Sequence, residues 1–247
     1  MLEKFEQTPE AINESVKTVE KIRTACYDAD PEKRLKNYMR ALDEKVEYDQ
    51  SAVDNFHGAK KQNDTDFRYE DYFNVAKFFT KKTGACQQFA VGLGMLCYGD
   101  PEIKCHQTVV KLKPKNKDDS RMNWYKHSVN CIEIPSKNIK GFVDVTNRHM
   151  YHDKVYSTQE YSKVFESAPI PHTAKFEGMA YYQPGLELKN IFKIMQSFGE
   201  GIKFDFESFE KGEKSFKDCF NQKRLSAFIE YQNNANKANE AEQMLSN

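Results

Sequence analysis

Thr83-Gly84-Ala85-Cys86-Gln87-Gln88-Phe89-Ala90 reads as a short loop that runs into a helix, with a cysteine in the first helical turn. Ala90, Leu93 and Cys97 follow Cys86 at helical spacing, which sets all four on one face. Tyr98-Gly99-Asp100-Pro101 stops the helix, with glycine where a left-handed cap is wanted and proline just beyond. A thiol at a helix N-terminus meets unpaired backbone N–H groups and the positive end of the helix dipole. Both favour thiolate, the form that attacks carbon. Cys86 is therefore the candidate nucleophile around which the rest of the chain is read.

Working outward, the chain has 247 residues, enough for one large domain with a real core. Thirty-seven basic residues balance thirty-seven acidic ones, so nothing at the level of the whole chain favours a nucleic acid or an anionic membrane. No apolar run approaches the roughly 18 residues of a membrane span, and Met1-Leu2-Glu3-Lys4-Phe5-Glu6 has no signal-peptide core. A cytoplasmic protein is expected if Met1 is the native start, and a secreted or cell-surface one if a leader has been removed. The six cysteines contain no Cys-x-x-Cys pair, so neither zinc nor dithiol redox spacing is present. Cys97 and Cys131 read as small buried hydrophobes.

Upstream of the cysteine the pattern is helical. Thr8 and Pro9 start a helix to about residue 28, and Asp30-Pro31 starts a second that runs to about Tyr48. Residues 50–66 are polar and read as loop. A helix over about 69–80, carrying Tyr72, Phe73, Ala76, Phe78 and Phe79, delivers the chain to Gly84. After Pro101 the period changes from 3.6 to 2. Residues 105–113, 124–134 and 141–146 read as strands, joined by a charged loop and by Pro135-Ser136-Lys137-Asn138. Short connections imply an antiparallel meander. Farther on, residues 188–198 suit a helix, 202–206 alternate as a strand, and the tail from about 207 looks helical. The expected fold class is α+β. A helical N-terminal part carries the nucleophile helix on an antiparallel sheet, and a mainly helical extension over 151–247 packs on that core within a single domain.

Strand alternation then supplies partners for the thiol. A cysteine nucleophile needs a base within hydrogen-bond reach and a group that orients the base. His127 shares a strand face with Tyr125, Val129 and Cys131, the apolar face expected to meet the helices. If the turn centres near Ser136-Lys137, Asp144 falls opposite Val129 and diagonal to His127, within side-chain reach. Three elements thus bring Cys86, His127 and Asp144 together in principle.

Gly84-Ala85-Cys86-x-x-Phe89-Ala90, then His127-x-x-Asn130, then Val143-Asp144-Val145-Thr146 resembles the transglutaminase-like family. The family pattern is Gly-Val-Cys-x-x-Tyr-Ala, His-x-Trp-Asn and a hydrophobic-Asp-hydrophobic-Thr strand. Tyr48-Asp49 also resembles an upstream feature of bacterial members. The resemblance covers roughly residues 35–150, which it marks as the catalytic core. Ala85, Phe89 and Val129 depart from the pattern, and Trp124 lies near the place of the missing tryptophan. The resemblance implies a papain-like arrangement with Cys86 as nucleophile, His127 as general base and acid, and Asp144 as orienter. It implies acyl transfer through a thioester on a protein or peptide substrate, with peptide cleavage favoured over cross-linking and no cofactor required. The Cys86 N–H is the expected oxyanion donor. Gln87 and Gln88 are side-chain candidates for a second donor, and Asn130 and Trp124 are supporting residues. The alternative is a catalytically silent binding or scaffold module of the same fold. The sequence leaves the oligomeric state open.

The other chemistry-bearing residues have plainer readings. His149 and His152-Asp153 follow a strand with no third metal ligand nearby and read as solvated turn residues. Cys105 and His106, adjacent on a strand, point to opposite faces. A redox-sensing role for Cys86 lacks a resolving cysteine. No acidic cluster has calcium-loop spacing.

Overall fold

The computed structural model describes residues 8–61, 75–112, 125–146, 154–157, 160, 173–176, 202–205 and 213. The first two helices start where local chemistry dictates. Thr8 Oγ1 accepts the Ala11 N–H at 3.2 Å ahead of helix α1 (Pro9–Ala25). Asp30 accepts the Glu32 N–H at 2.9 Å ahead of α2 (Pro31–Lys45). Proline occupies the first turn of both, where its missing N–H costs nothing.

The chain departs from the sequence expectation after α2. That helix ends at Lys45, and strand β1 (Glu47–Tyr48) pairs in parallel with β2 (Thr83–Gly84), just before the cysteine. Residues expected as loop form a helix, α3 (Gln50–Lys61). Asp49 starts it, with its carboxylate accepting the Ala52 N–H at 2.9 Å, and Ala52 is buried. Helix α4 (Val75–Lys81) is the described part of the helix expected over 69–80.

Beyond its first turn, helix α5 (Cys86–Cys97) is apolar all round and buried, as a core helix should be. Its C-terminus is fixed twice. Gly99 takes the left-handed conformation, φ 76°, that ends the helix. Arg23 of α1 donates to the carbonyls of Met95 at 2.7 Å and Leu96 at 2.9 Å, and also to Tyr98. A guanidinium on these carbonyls satisfies acceptors the helix cannot and complements the negative dipole end. Beyond the cap, buried Arg34 grips Asp100 at 2.7 and 3.1 Å and Glu102 at 2.9 Å.

The sheet has five antiparallel-paired strands in the order β5-β4-β3-β6-β7. They are β3 (Lys104–Leu112), β4 (Tyr125–Ile134), β5 (Ile139–Val143), β6 (Thr173–Phe176) and β7 (Ile202–Asp205). The architecture is therefore α+β, and β3, β4 and β5 form the expected meander. Strand β7 falls within the expected 202–206. Strand β6 was not anticipated, and through it and β7 the region after residue 150 supplies strands to the sheet itself. The helices expected at 188–198 and after 207 lie outside the described residues, apart from residue 213.

Phe78, fully buried, joins α4 to α5 and meets Phe89 edge-on at 5.2 Å. It fits because Gly84 and Gly92 have no side chains. A Cβ on Gly84 would come to 2.7 Å from the Phe78 ring, and one on Gly92 to 2.5 Å. Two opposing effects fix the sign of a substitution here. Alanine gains up to about 1 kcal/mol over glycine inside a helix, whereas overpacking a closed core costs about 1–3 kcal/mol. Gly92→Ala should therefore lower the urea midpoint. Gly58→Ala on α3, where nothing lies within 4 Å of the added carbon, should raise it or leave it unchanged. Chemical denaturation of the two variants checks the pair of signs.

Candidate functional site

The site forms where the start of α5 meets the first half of β4. Ala85 is the N-cap of α5, and its own N–H donates to Gln88 Oε1 at 3.2 Å. Gln88 is buried and closes the first turn, with its side-chain oxygen committed to that cap. Cys86, half-buried, takes the first helical position. Its backbone N–H is one of those left without an intrahelical acceptor.

His127 enters from β4 and Asp144 from the residue after β5. Strand β5 runs in register with β4, Val143 opposite Asn130 and Phe142 opposite Cys131. One further step along that register sets Asp144 opposite Val129, as the turn position implies. His127 Nε2 and Asp144 Oδ2 are 2.8 Å apart, with His127 at 7% exposure and Asp144 at 1%. The imidazole also acts on the Cys86 thiol, and each shifts the titration of the other. With Nε2 engaged by the carboxylate, Nδ1 is the ring nitrogen that remains for sulfur. Of the three residues singled out from the sequence, His127 and Asp144 are thus in direct contact, and Cys86 is an electrostatic neighbour of the same ring.

The electrostatics follow from this arrangement. Burial pushes the Cys86 thiol up. The influence of the His127 ring and its charge, together with that of the Ser128 backbone N–H, outweighs burial and holds the thiol below its ordinary value. Burial pushes His127 down, but the Asp144 charge, its hydrogen bond and the neighbouring sulfur raise it to about 10. At neutral pH both shifts favour thiolate beside imidazolium. The two groups titrate as a coupled pair.

No family model matches this chain, and no curated protein matches it. Three solved chains do match. One, "Crystal structure of a TGase", aligns over 66% of this chain and 39% of its own, at 13% identity and a TM-score of 0.42. The chain thus spans well under half the length of that protein, and the chemistry of the site rests on its own geometry.

The remaining expected site residues are placed differently. Asn130 is wholly buried and donates to the Ala90 carbonyl of α5 at 2.7 Å and to Cys105 Sγ at 3.4 Å. Its amide is thus directed at the helix rather than at a substrate. Gln87 is half-buried on the first turn. Trp124 lies outside the described residues, as do His149 and His152-Asp153. The expectation that the His127 face of β4 packs on the helix layer needs correction for α5. Side chains alternate along a strand, so Asn130, which meets α5 at Ala90, stands on the face opposite His127, and His127 interacts with α5 at its first residue, Cys86. Residues 127–134 are all buried on both faces, and apolar alternation therefore could not tell them apart.

Two groups escaped the sequence reading. The Ser128 backbone N–H, which helps hold the Cys86 thiol down, carries no side-chain signature at all. Gln107, opposite Asn130 on β3, is buried and donates to Ser128 Oγ at 3.4 Å, a cross-strand contact that needs the exact register to be foreseen.

The predicted pH behaviour has a definite sign. Cys86 should react with iodoacetamide with a rate midpoint below the ordinary thiol value of about 8.5. In His127→Ala the stabilising partner is lost while burial remains, so the midpoint should move above that value. Rate–pH profiles of labelling at Cys86, read by peptide mass spectrometry, check both directions.

Proposed function

We propose that this protein is a cysteine-dependent amide hydrolase or acyltransferase of transglutaminase-like type, acting on a protein or peptide. The single observation that carries the reading is the 2.8 Å contact between buried His127 and buried Asp144, with the Cys86 thiol under the influence of the same ring. A carboxylate on Nε2 fixes the ring orientation and stabilises the imidazolium beside a thiolate.

In the proposed reaction the Cys86 thiolate attacks a substrate amide carbonyl. Its sulfur forms a new S–C bond, and the carbonyl electrons move onto oxygen. The Cys86 N–H at the start of α5 is the proposed donor to that oxyanion. When the tetrahedral intermediate collapses, the C–N bond breaks and His127 gives its Nδ1 proton to the departing amine, leaving a thioester. His127, now neutral, takes a proton from water or from an acceptor amine as that nucleophile attacks the thioester. The acid or new amide leaves, and thiolate and imidazolium are restored. Asp144 stays ionised throughout and acts only on the orientation and charge of the ring. The half-buried state of Cys86 supports access by a substrate, whereas Asp144 is sealed from water.

The test is a panel of peptide amides and activated peptide esters, with intact-mass detection of the acyl-enzyme. The expected result is a covalent adduct on Cys86, no turnover in Cys86→Ala, and a fall in kcat on the order of 10²–10⁴-fold in Asp144→Asn. Turnover that survives Cys86→Ala would remove the thiol from the mechanism.

A further inference from the structure

We infer that Asn130 is a positioning residue that holds the nucleophile helix at the working distance from His127. This inference rests on the reading of Cys86 and His127 as a reacting pair.

The placement of the contact is what suggests the role. Ala90 lies one helical turn after Cys86, on the same side of α5. Asn130 lies three residues after His127, about 10 Å along the same strand. The Asn130–Ala90 hydrogen bond, 2.7 Å long, therefore ties the element that carries the sulfur to the element that carries the imidazole, close behind both.

The chemistry of the interface gives the tie its importance. The α5 surface is almost entirely apolar, with Val91, Leu93, Met95 and Leu96 among its buried residues. Apolar packing is non-directional and leaves freedom to slide or roll along the contact. A charge-free hydrogen bond with defined donor and acceptor atoms fixes position and rotation together. The Ala90 carbonyl can take this bond beside its intrahelical one, because it has two lone pairs.

Asn130 also carries a cost that a simple space-filler would avoid. It is wholly buried, and its Oδ1 has no hydrogen-bond partner among the described residues. A leucine of similar size would remove that orphan acceptor as well as the donor. Replacing both ends of a half-satisfied buried group by apolar atoms can be nearly neutral for stability. Stability and positioning should thus separate at this residue.

The test uses the full chain and three variants: Asn130→Leu, Asn130→Ala and, as a packing control, Ile132→Val on the same face of β4. Each is assayed for thermal unfolding and for the pH profile of iodoacetamide labelling at Cys86. If Asn130 positions the helix, both Asn130 variants move the Cys86 midpoint up toward about 8.5 and slow neutral-pH labelling by roughly 10- to 100-fold. Asn130→Leu does so with little change in unfolding temperature, and Ile132→Val leaves the midpoint alone. Asn130→Ala keeps the test open if leucine is too large to be accommodated. A wild-type midpoint retained in the Asn130 variants overturns the inference while leaving the proposed chemistry intact. The same holds if Ile132→Val shifts the midpoint as far as they do. A wild-type protein whose Cys86 labels like an ordinary thiol overturns the inference and the reading of the pair together.

Discussion

A carboxylate that keeps only 1% of its surface cannot stay ionised without something to replace its water. Asp144 is in that position, and His127 Nε2 at 2.8 Å supplies the replacement. The consequence reaches beyond the pair. An imidazole held against a buried negative charge stays protonated well above its ordinary range, and a protonated imidazole beside a thiol draws the thiol toward thiolate. The proposed reactivity of Cys86 is thus an electrostatic consequence of where Asp144 is buried. Removing that carboxylate would take away the charge that keeps His127 protonated, so that His127 and the Ser128 N–H would act more weakly against burial.

The rest of the molecule can be understood as the means of holding that arrangement. Helix α5 is fixed at its far end by Arg23 and Gly99, and it is wedged against α4 by Phe78 lying over Gly84 and Gly92. Arg34 and Asp100 hold the connection from α5 to β3. The parallel pairing of β1 with β2 steadies the chain two residues before the cysteine. Arg23 makes its polar contacts with α5 at the C-terminal end of the helix. The proposed nucleophile sits at the other end, where Gln88 closes the first turn and Asn130 reaches the second.

Much of this was legible in the sequence where local chemistry decides structure. The caps at Thr8, Asp30 and Gly99 mark helix ends without reference to the rest of the fold. The Pro135–Asn138 turn sets a register that brings Asp144 toward His127, because hairpin geometry propagates along both strands. The misses have physical causes too. Asp49 reads equally well as the end of one helix or the cap of the next, and here it caps α3. Two-residue strands such as β1 and β2 carry no periodicity. The face of β4 that meets α5 was hidden because both faces are buried, and buried strands lose the alternation that reports orientation. Asn130 fits the family pattern in sequence, but its bond to Ala90, 40 residues away, exists only in the folded chain.

The proposed chemistry requires that the His127 ring remain an imidazolium beside a thiolate at neutral pH. The most direct measurement is an NMR titration of the His127 ring nitrogens in the wild-type protein and in Cys86→Ala. The account predicts that His127 stays protonated to a pH near 10, and that loss of the sulfur lowers that value. A His127 ring that titrates near its ordinary value of about 6.5, unaffected by Cys86, would contradict it.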